Sequence, residues 1–325
     1  MKYDIAVVGN DEGAFEMLNL AATARRRTVA IIPEIRHSAW LVAQALRRLT
    51  SNLLVDRTAN RRSLFERKGT PRLLNALLSR AIAEEVREHI EMLERLGVDV
   101  RVGEAALKER NTPGNRSTLI CNRRELEVKT LVVATGVRRT AMHRPVGQMP
   151  FHSPEALFTG RRLPKVVSII GGGDFGAGLA TLMSLFGVHT QLVSRCDGTS
   201  VMLELASSAG VEIGQHPADL GLDLLALERQ ATPANLVDCR RVVGYTEHLK
   251  LDTLGIEPDE NGQLWCAGSM ETWCSGVFGI GDVVGFSPDS ALAPTVQAER
   301  VMNRITHAVP RPHLLREFAR QRATA

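Results

Sequence analysis

The feature that most constrains this chain is a glycine turn set between an apolar strand and a helix of small residues. VVSII, residues 166–170, is a short β-branched run of the kind that fills the middle of a parallel sheet, and GGGDFGAGLA follows it directly. In that turn Gly171, Gly173, Gly176 and Ala180 stand in the spacing GxGxxGxxxA. Such a corner brings an anion against the free amides and the positive dipole end of the helix behind it. Gly171 permits the turn, Gly173 leaves room for a phosphate, and Gly176 lets the helix pack on the strand. HTQLVSR supplies the next strand and completes a strand–helix–strand unit.

The same order of elements occurs once before. Tyr3 to Val8 is an apolar, β-branched run ending at Gly9, Phe15 to Ala24 are mostly helix formers, and TVAII, residues 28–32, ends close to Glu34. Two such units in one chain predict an α/β protein with two Rossmann-like dinucleotide-binding domains, the second inserted in the first. The N-terminal turn, Gly9-Asn10-Asp11-Glu12-Gly13-Ala14, is the degenerate copy. Gly9 holds, Gly13 stays in the turn and Ala14 is an accepted third position, but Asp11 stands where the second glycine belongs. A carboxylate facing a phosphate at about 4 Å costs about 1 kcal/mol in water and about 4 kcal/mol at a surface-like effective dielectric.

The ends of the second strands bear on which nucleotide binds. Glu34 suits the ribose hydroxyls of an adenosine. The equivalent place in the second unit reads Ser194-Arg195-Cys196. Arg195 there permits pairing with a 2′-phosphate, so NADP(H) is allowed, and the same residue reads equally well as an exposed strand end.

Elsewhere, residues 37–68 read as irregular helix and loop, and Thr70-Pro71 as the N-cap and first turn of a long amphipathic helix reaching about Leu96. Strands follow in VDVRVG, around Leu119, from Glu125 to Val128, and in LVVATG; a strand from Val211 to Gly214 and a helix from Leu222 to Arg229 are expected later. The 325 residues suffice for two domains. With 40 Lys+Arg against 36 Asp+Glu the net charge is only +4, and Arg25-Arg26-Arg27, Arg47-Arg48 and Arg61-Arg62 lack interleaved aromatics, so they read as solvated faces and no nucleic-acid partner is expected. The five cysteines form no CxxC, which argues against a disulfide framework or a metal site. No apolar run approaches the roughly 18 residues needed to span a bilayer, and the N-terminus reads directly as a strand, so the expectation is a cytoplasmic protein without membrane contact. His189, His216 and His248 lack ligand spacing and read as structural or surface residues, and Cys266 and Cys274 as structural.

TWCSGVFGIGD, residues 272–282, resembles the TxxxxIYAxGD signature of the flavoprotein pyridine nucleotide oxidoreductases. Ala134-Thr135-Gly136 resembles that family's ATG turn, RRVVGYTEHLKLDTLGIEPDENGQL its GRxxNTxxLxLExxGIExxxxGxL run, and LAPTVQAER the helix directed at the flavin. Together these cover most of the chain in the family's order, and the wording is closest to its soluble transhydrogenase branch. The resemblance implies FAD and NAD(P)H as cofactors. It implies Thr135, Gly136, Gly281 and Asp282 beside FAD, with Asp282 on the ribityl chain.

The departures are equally specific. The family's GGxCxxxxC(I)PSK segment is missing after Glu34, Gly178 stands where a glutamate near the flavin is usual, and, with the sequence ending at Ala325, the expectation is a chain lacking the family's C-terminal interface domain. The first two losses agree, because that glutamate normally pairs with the missing lysine. The expected layout is an FAD-type domain over 1–150 and 270–325 and an NAD(P)-binding domain over 151–269. The expected activity is hydride transfer between NAD(P)H and flavin, transhydrogenase-like, with the two rings in stacked register and small nucleotides as the partners. No catalytic side chain is assigned and oligomeric state is left open. The competing expectation is a catalytically silent nucleotide-binding protein that kept the fold.

Overall fold

The computed structural model describes residues 1–33, 37–58, 69–111, 116–139, 153–159, 161–194, 200–215, 235–240 and 242–307. In chain order the strands are β1 (Lys2–Gly9), β2 (Thr28–Ile32), β3 (Asp99–Val102), β4 (Ala105–Asn111), β5 (Arg116–Cys121), β6 (Arg124–Ala134), β7 (Val137–Arg139), β8 (Val166–Ile170), β9 (His189–Val193), β10 (Glu212–Gly214), β11 (Asn235–Asp238), β12 (Val242–Gly244), β13 (Leu264–Trp265), β14 (Val277–Gly279) and β15 (Val284–Phe286). The helices are α1 (Glu12–Thr23), α2 (Ala39–Thr58), α3 (Pro71–Arg95), α4 (Ala156–Thr159), α5 (Gly173–Leu185), α6 (Val201–Ser208) and α7 (Pro294–Thr306). The chain divides into two compact units, Met1–Leu41 with Arg87–Arg138 and Val243–Ala325, and Val42–Val86 with Arg139–Val242.

Unit 1 is built on a seven-stranded sheet in the order β3-β2-β1-β6-β5-β4, with β14 also on β6. β6 pairs parallel with β1 along one edge, from Lys2↔Glu127 to Gly9↔Ala134, and divides its other edge between two partners. Its first half pairs antiparallel with β5, from Arg124↔Cys121 to Val128↔Ser117, and its second half pairs parallel with β14, from Leu131↔Val277 to Val133↔Gly279. The parallel core is therefore β3-β2-β1-β6-β14. Its central strands bury nearly every side chain, as Val-, Ile- and Ala-rich strands covered on both faces must. α1 follows β1 and packs beside α7, whose Arg304 reaches the buried Glu271 at 3.2 Å.

Unit 2 holds four parallel strands in the order β10-β9-β8-β11, with β8 in register with β9 from Val166↔His189 to Ile170↔Val193. α5 and α6 pack on this sheet, and so do Leu46 and Leu53 of α2 and Leu74 and Leu78 of α3. The Thr70 hydroxyl oxygen accepts the Leu73 amide at 3.2 Å, so α3 begins where its capping residue and Pro71 place it.

Two readings of local structure need correction. Over residues 37–68, read as irregular helix and loop, residues 39–58 form one continuous twenty-residue helix, and 59–68 lie outside the described residues. Leu41, Ala45, Leu46 and Leu53 lie buried on its inner side, and this apolar stripe overrides the Arg, Ser, Thr and Asn content that suggested a loop. The segments around Glu125 and Leu131 form one strand, β6, because its two halves bond to different neighbours. The helix expected at 222–229 lies outside the described residues, as do Glu34, Arg195 and His216. No helix among the described residues is long and apolar enough to cross a membrane.

Candidate functional site

Unit 1 brings three turns to the C-terminal ends of adjacent parallel strands, the edge at which open α/β sheets take ligands. β1 runs into Gly9 (φ 137°), where any Cβ would collide with the Ala134 carbonyl oxygen. β6 runs into Thr135 and Gly136 (φ 64°), and β14 runs through Ile280 into Gly281 (φ 77°) and Asp282. Gly13 lets α1 nest against Ile280 and Pro294, since a Cβ there would strike the Ile280 side chain, and Ala14 is buried behind it. The Gly281 amide donates to Gln297 Oε1 at 2.9 Å, and Gln263 Nε2 donates to the Asp282 carbonyl at 2.8 Å.

At the centre of these turns stands Asp11. It is the N-cap of α1, and its Oδ1 accepts the Ala14 amide at 3.0 Å. A Cβ on Gly281 would collide with Asp11 Oδ2, and one on Gly136 would lie 3.3 Å from Asp11 Cβ. The carboxyl is buried, and that desolvation pushes its pKa well above the usual carboxylate range; nearby Asp282 and Glu12 push the same way, and the Ala14 and Gly13 amides offset part of it.

Asn10 and Ser38, which sequence reasoning passed over, tie this turn to α2. Asn10 Oδ1 accepts the Ser38 amide at 3.0 Å, the Ser38 hydroxyl donates to the Asn10 carbonyl at 3.1 Å, and Asn10 Nδ2 meets His37 Nδ1 at 3.1 Å. Burial lowers the His37 pKa. The polar side chain at the second place of a glycine turn was the available signal.

The backbone of this crevice fits a diphosphate-linked cofactor such as FAD. Three turns, each with a glycine at positive φ, converge on a helix N-terminus, and Thr135 Oγ1 is buried with no hydrogen-bond partner among the described residues. The Asp11 carboxyl occupies the N-terminus of α1 and accepts the Ala14 amide that a phosphate there would use.

In unit 2, β8 is flanked by β9 on one side and β11 on the other, so the strand order reverses beside β8, the place at which open parallel sheets take ligands. The turn after β8 is bare of side chains. Gly172 is the left-handed N-cap of α5 (φ 92°) with no side-chain cap, and space around a Cβ on Gly173 (φ 53°) is open. Gly176 is obligatory in another sense, because a Cβ there would collide with the Gly171 carbonyl oxygen. Uncapped amides facing open space fit the pyrophosphate of a nicotinamide dinucleotide.

Arg240, immediately past β11, lies across this turn. A Cβ on Gly171 would collide with its Cγ, and its guanidinium forks onto the fully buried Asp238, Nε to Oδ1 at 3.0 Å and Nη2 to Oδ2 at 2.9 Å. Nη1 has no acceptor among the described residues. The Arg139 guanidinium donates to the Cys239 carbonyl at 2.8 Å and stands 6.0 Å from the Phe175 ring centroid. Arg240 is a candidate site residue that the sequence did not single out, appearing there only as the first residue of the RRVVGYT run.

Gly178, where the resembled family carries a glutamate, sits under α2: a Cβ there would lie 2.9 Å from both Leu46 Cβ and Met202 Cε. None of the four described cysteines forms a disulfide, and burial pushes the Cys239 and Cys266 thiols up to about 12, which removes thiolate character at neutral pH. His189 Nε2 lies 3.4 Å from Glu212, and His248 stacks on Tyr245 beside Glu104, structural contacts in both cases.

Comparison with known proteins agrees with this geometry. The soluble pyridine nucleotide transhydrogenase of Hahella chejuensis is 24% identical over 351 residues, which cover 94% of this chain and 71% of that protein. The protein of the same name from Pseudomonas putida is 24% identical over 327 residues, 87% of this chain and 67% of that one. Among solved structures, LpdA from Mycobacterium tuberculosis superposes with a TM-score of 0.62 at 20% identity, over 95% of this chain and 74% of that one. The HOCl-induced flavoprotein disulfide reductase RclA from Escherichia coli superposes with a TM-score of 0.60 at 15% identity, over 94% and 71%. Residues 3–310 match the family described as pyridine nucleotide-disulphide oxidoreductase, and the chain belongs to that family of flavoproteins, which use FAD and NAD(P)H.

Proposed function

We propose that this chain is an FAD-dependent NAD(P)H oxidoreductase acting in the manner of a soluble pyridine nucleotide transhydrogenase. Unit 1, with Gly9, Gly13, Ala14, Thr135, Gly136, Gly281 and Asp282, takes the flavin dinucleotide, and unit 2 takes the nicotinamide dinucleotide at Gly171, Gly173 and Gly176. The observation that carries the reading is the uncapped N-terminus of α5 behind a glycine turn with open space at Gly173.

When bound, the two cofactors supply hydride donor and acceptor, and the chain's own groups bind and orient. The α5 amides hold a pyrophosphate, the Arg240 guanidinium stands beside it already oriented by Asp238, and Gly176 keeps the helix close enough to the strand for the amides to point outward. In unit 1 the Thr135 hydroxyl and the Asp282 carboxylate are the polar groups offered to a ribose or ribityl chain. Cys239 and Cys266 stay protonated and take no part in thiol exchange.

A second reading, a nucleotide-binding protein without turnover, draws support from Asp11 in the crevice of unit 1 and from Leu46 packed over Gly178. The visible spectrum of the purified chain supplied with FAD separates the two. Flavin bands that bleach on adding NADH or NADPH support the oxidoreductase; a colourless chain that binds NADPH but not FAD leaves the second reading.

A further inference from the structure

Asp11 is a carboxyl group standing where the proposed function puts a diphosphate. One oxygen accepts the Ala14 amide, as a phosphate oxygen would at a helix N-terminus, and the other lies against Gly281. Gly136 and Ser38 close the remaining sides, with the Ser38 Cβ 2.9 Å from where a Gly136 Cβ would be. The group is 4% exposed and has no cation to compensate it among the described residues. The titratable groups facing it are Glu12 on its own helix and Asp282 in the turn after β14, both acidic. Among the described residues, the segment leading into α2 brings His37, which is turned to Asn10, and the turn after β6 and the start of α7 bring none.

Resting on the assignment of unit 1 to the flavin dinucleotide, we propose that Asp11 is an internal stand-in for the cofactor's diphosphate, and that a dinucleotide enters unit 1 only by exchange with it and only with Asp11 neutral, taking up one proton wherever Asp11 of the free chain is ionised. The exchange is forced by space, since the carboxyl and a phosphate claim the same amides. The proton follows from tethering: Asp11 belongs to the turn, so its side chain rotates aside without leaving, and beside an ionised diphosphate only its neutral form is stable. As a neutral acid it donates a hydrogen bond to a phosphate oxygen; as an anion it repels one.

The test is an equilibrium titration of the full-length chain with FAD, read by quenching of flavin fluorescence between about pH 5 and pH 8, on the wild type, Asp11→Asn and Asp11→Gly. Asn keeps both the side-chain volume and a capping oxygen, so it separates charge from shape and guards against a glycine variant that fails to fold. The wild type is expected to lose up to about tenfold in affinity per pH unit above the titration of Asp11, as one linked proton requires. Both variants are expected to be flat with pH and at least about tenfold tighter than the wild type at the alkaline end. A wild-type affinity that does not change with pH, or an Asn variant no tighter than the wild type, overturns the inference and leaves the flavin assignment standing. Absence of FAD binding in all three proteins at every pH sinks the flavin assignment itself, and the inference with it.

Discussion

The aliphatic stem of Arg240 lies against Gly171 while its guanidinium forks onto the buried Asp238. A cation is thereby fixed at the edge of a phosphate-sized turn by an acid that never meets solvent. Arg240→Ala is expected to weaken binding of NADPH and of ADP-ribose about tenfold, the loss of one charge-assisted contact. It should also cost about 2 kcal/mol of stability, because Asp238 stays buried without its partner. Calorimetric titration reads the first and thermal denaturation the second. Undiminished binding would leave Arg240 a purely structural partner of Asp238.

Gly173 and Gly176 belong to one turn but answer to different demands. Gly173→Ala places a methyl in open space at a positive φ, so it should cost about 1 kcal/mol of stability while lowering nucleotide affinity by obstructing the phosphate approach. Gly176→Ala drives a methyl into the Gly171 carbonyl and should cost at least about 2 kcal/mol, with a fall in Tm of several degrees. The same two measurements, nucleotide titration and thermal denaturation, separate them.

Restoring the family's glutamate at Gly178 should fail here. The space belongs to Leu46 and Met202, so Gly178→Glu is expected to destabilise the chain by about 2–4 kcal/mol, and Gly178→Ala by about 1–3 kcal/mol. Chemical denaturation checks the order. A well-folded glutamate variant would show that α2 yields at that point.

Asp11 also sets a pH dependence of folding. Its pKa in the folded chain is raised, so between the unfolded and folded values the native state holds the extra proton, and stability falls as pH rises through the folded pKa. Asp11→Asn should therefore have a higher Tm than the wild type near neutral pH, with the gain shrinking as the pH is lowered toward about 4. Thermal scans of the two proteins across that range provide the check, and parallel curves would argue against a buried, raised carboxyl.

Much of this protein is written locally. VVSII and TVAII are strands with the bounds their composition suggests, and Thr70-Pro71 starts α3 where capping chemistry places it. Local pattern says less where an element answers to distant partners. α2 has a polar, arginine-rich sequence and is a helix because Leu46 and Leu53 meet α5 and the second sheet. β6 is one strand because two neighbours far apart in sequence share it. At the sites, the glycine spacing revealed the turns and the oddity of Asp11. The contact between Arg240 and Gly171 joins residues just past the ends of two different strands, and nothing in either neighbourhood announces it.

The division of β6 between β5 and β14 has a consequence for how this chain matures. Leu131, Val132 and Val133 wait for a partner that arrives at Val277, well over a hundred residues later. Until that segment emerges from the ribosome, the half-built sheet presents a bare apolar border of unpaired amides and carbonyls, the kind of border to which stray strands attach. Closing so wide a loop is slow. The edge of β6 at Leu131 to Val133 is closed only when Val277, Phe278 and Gly279 dock on it.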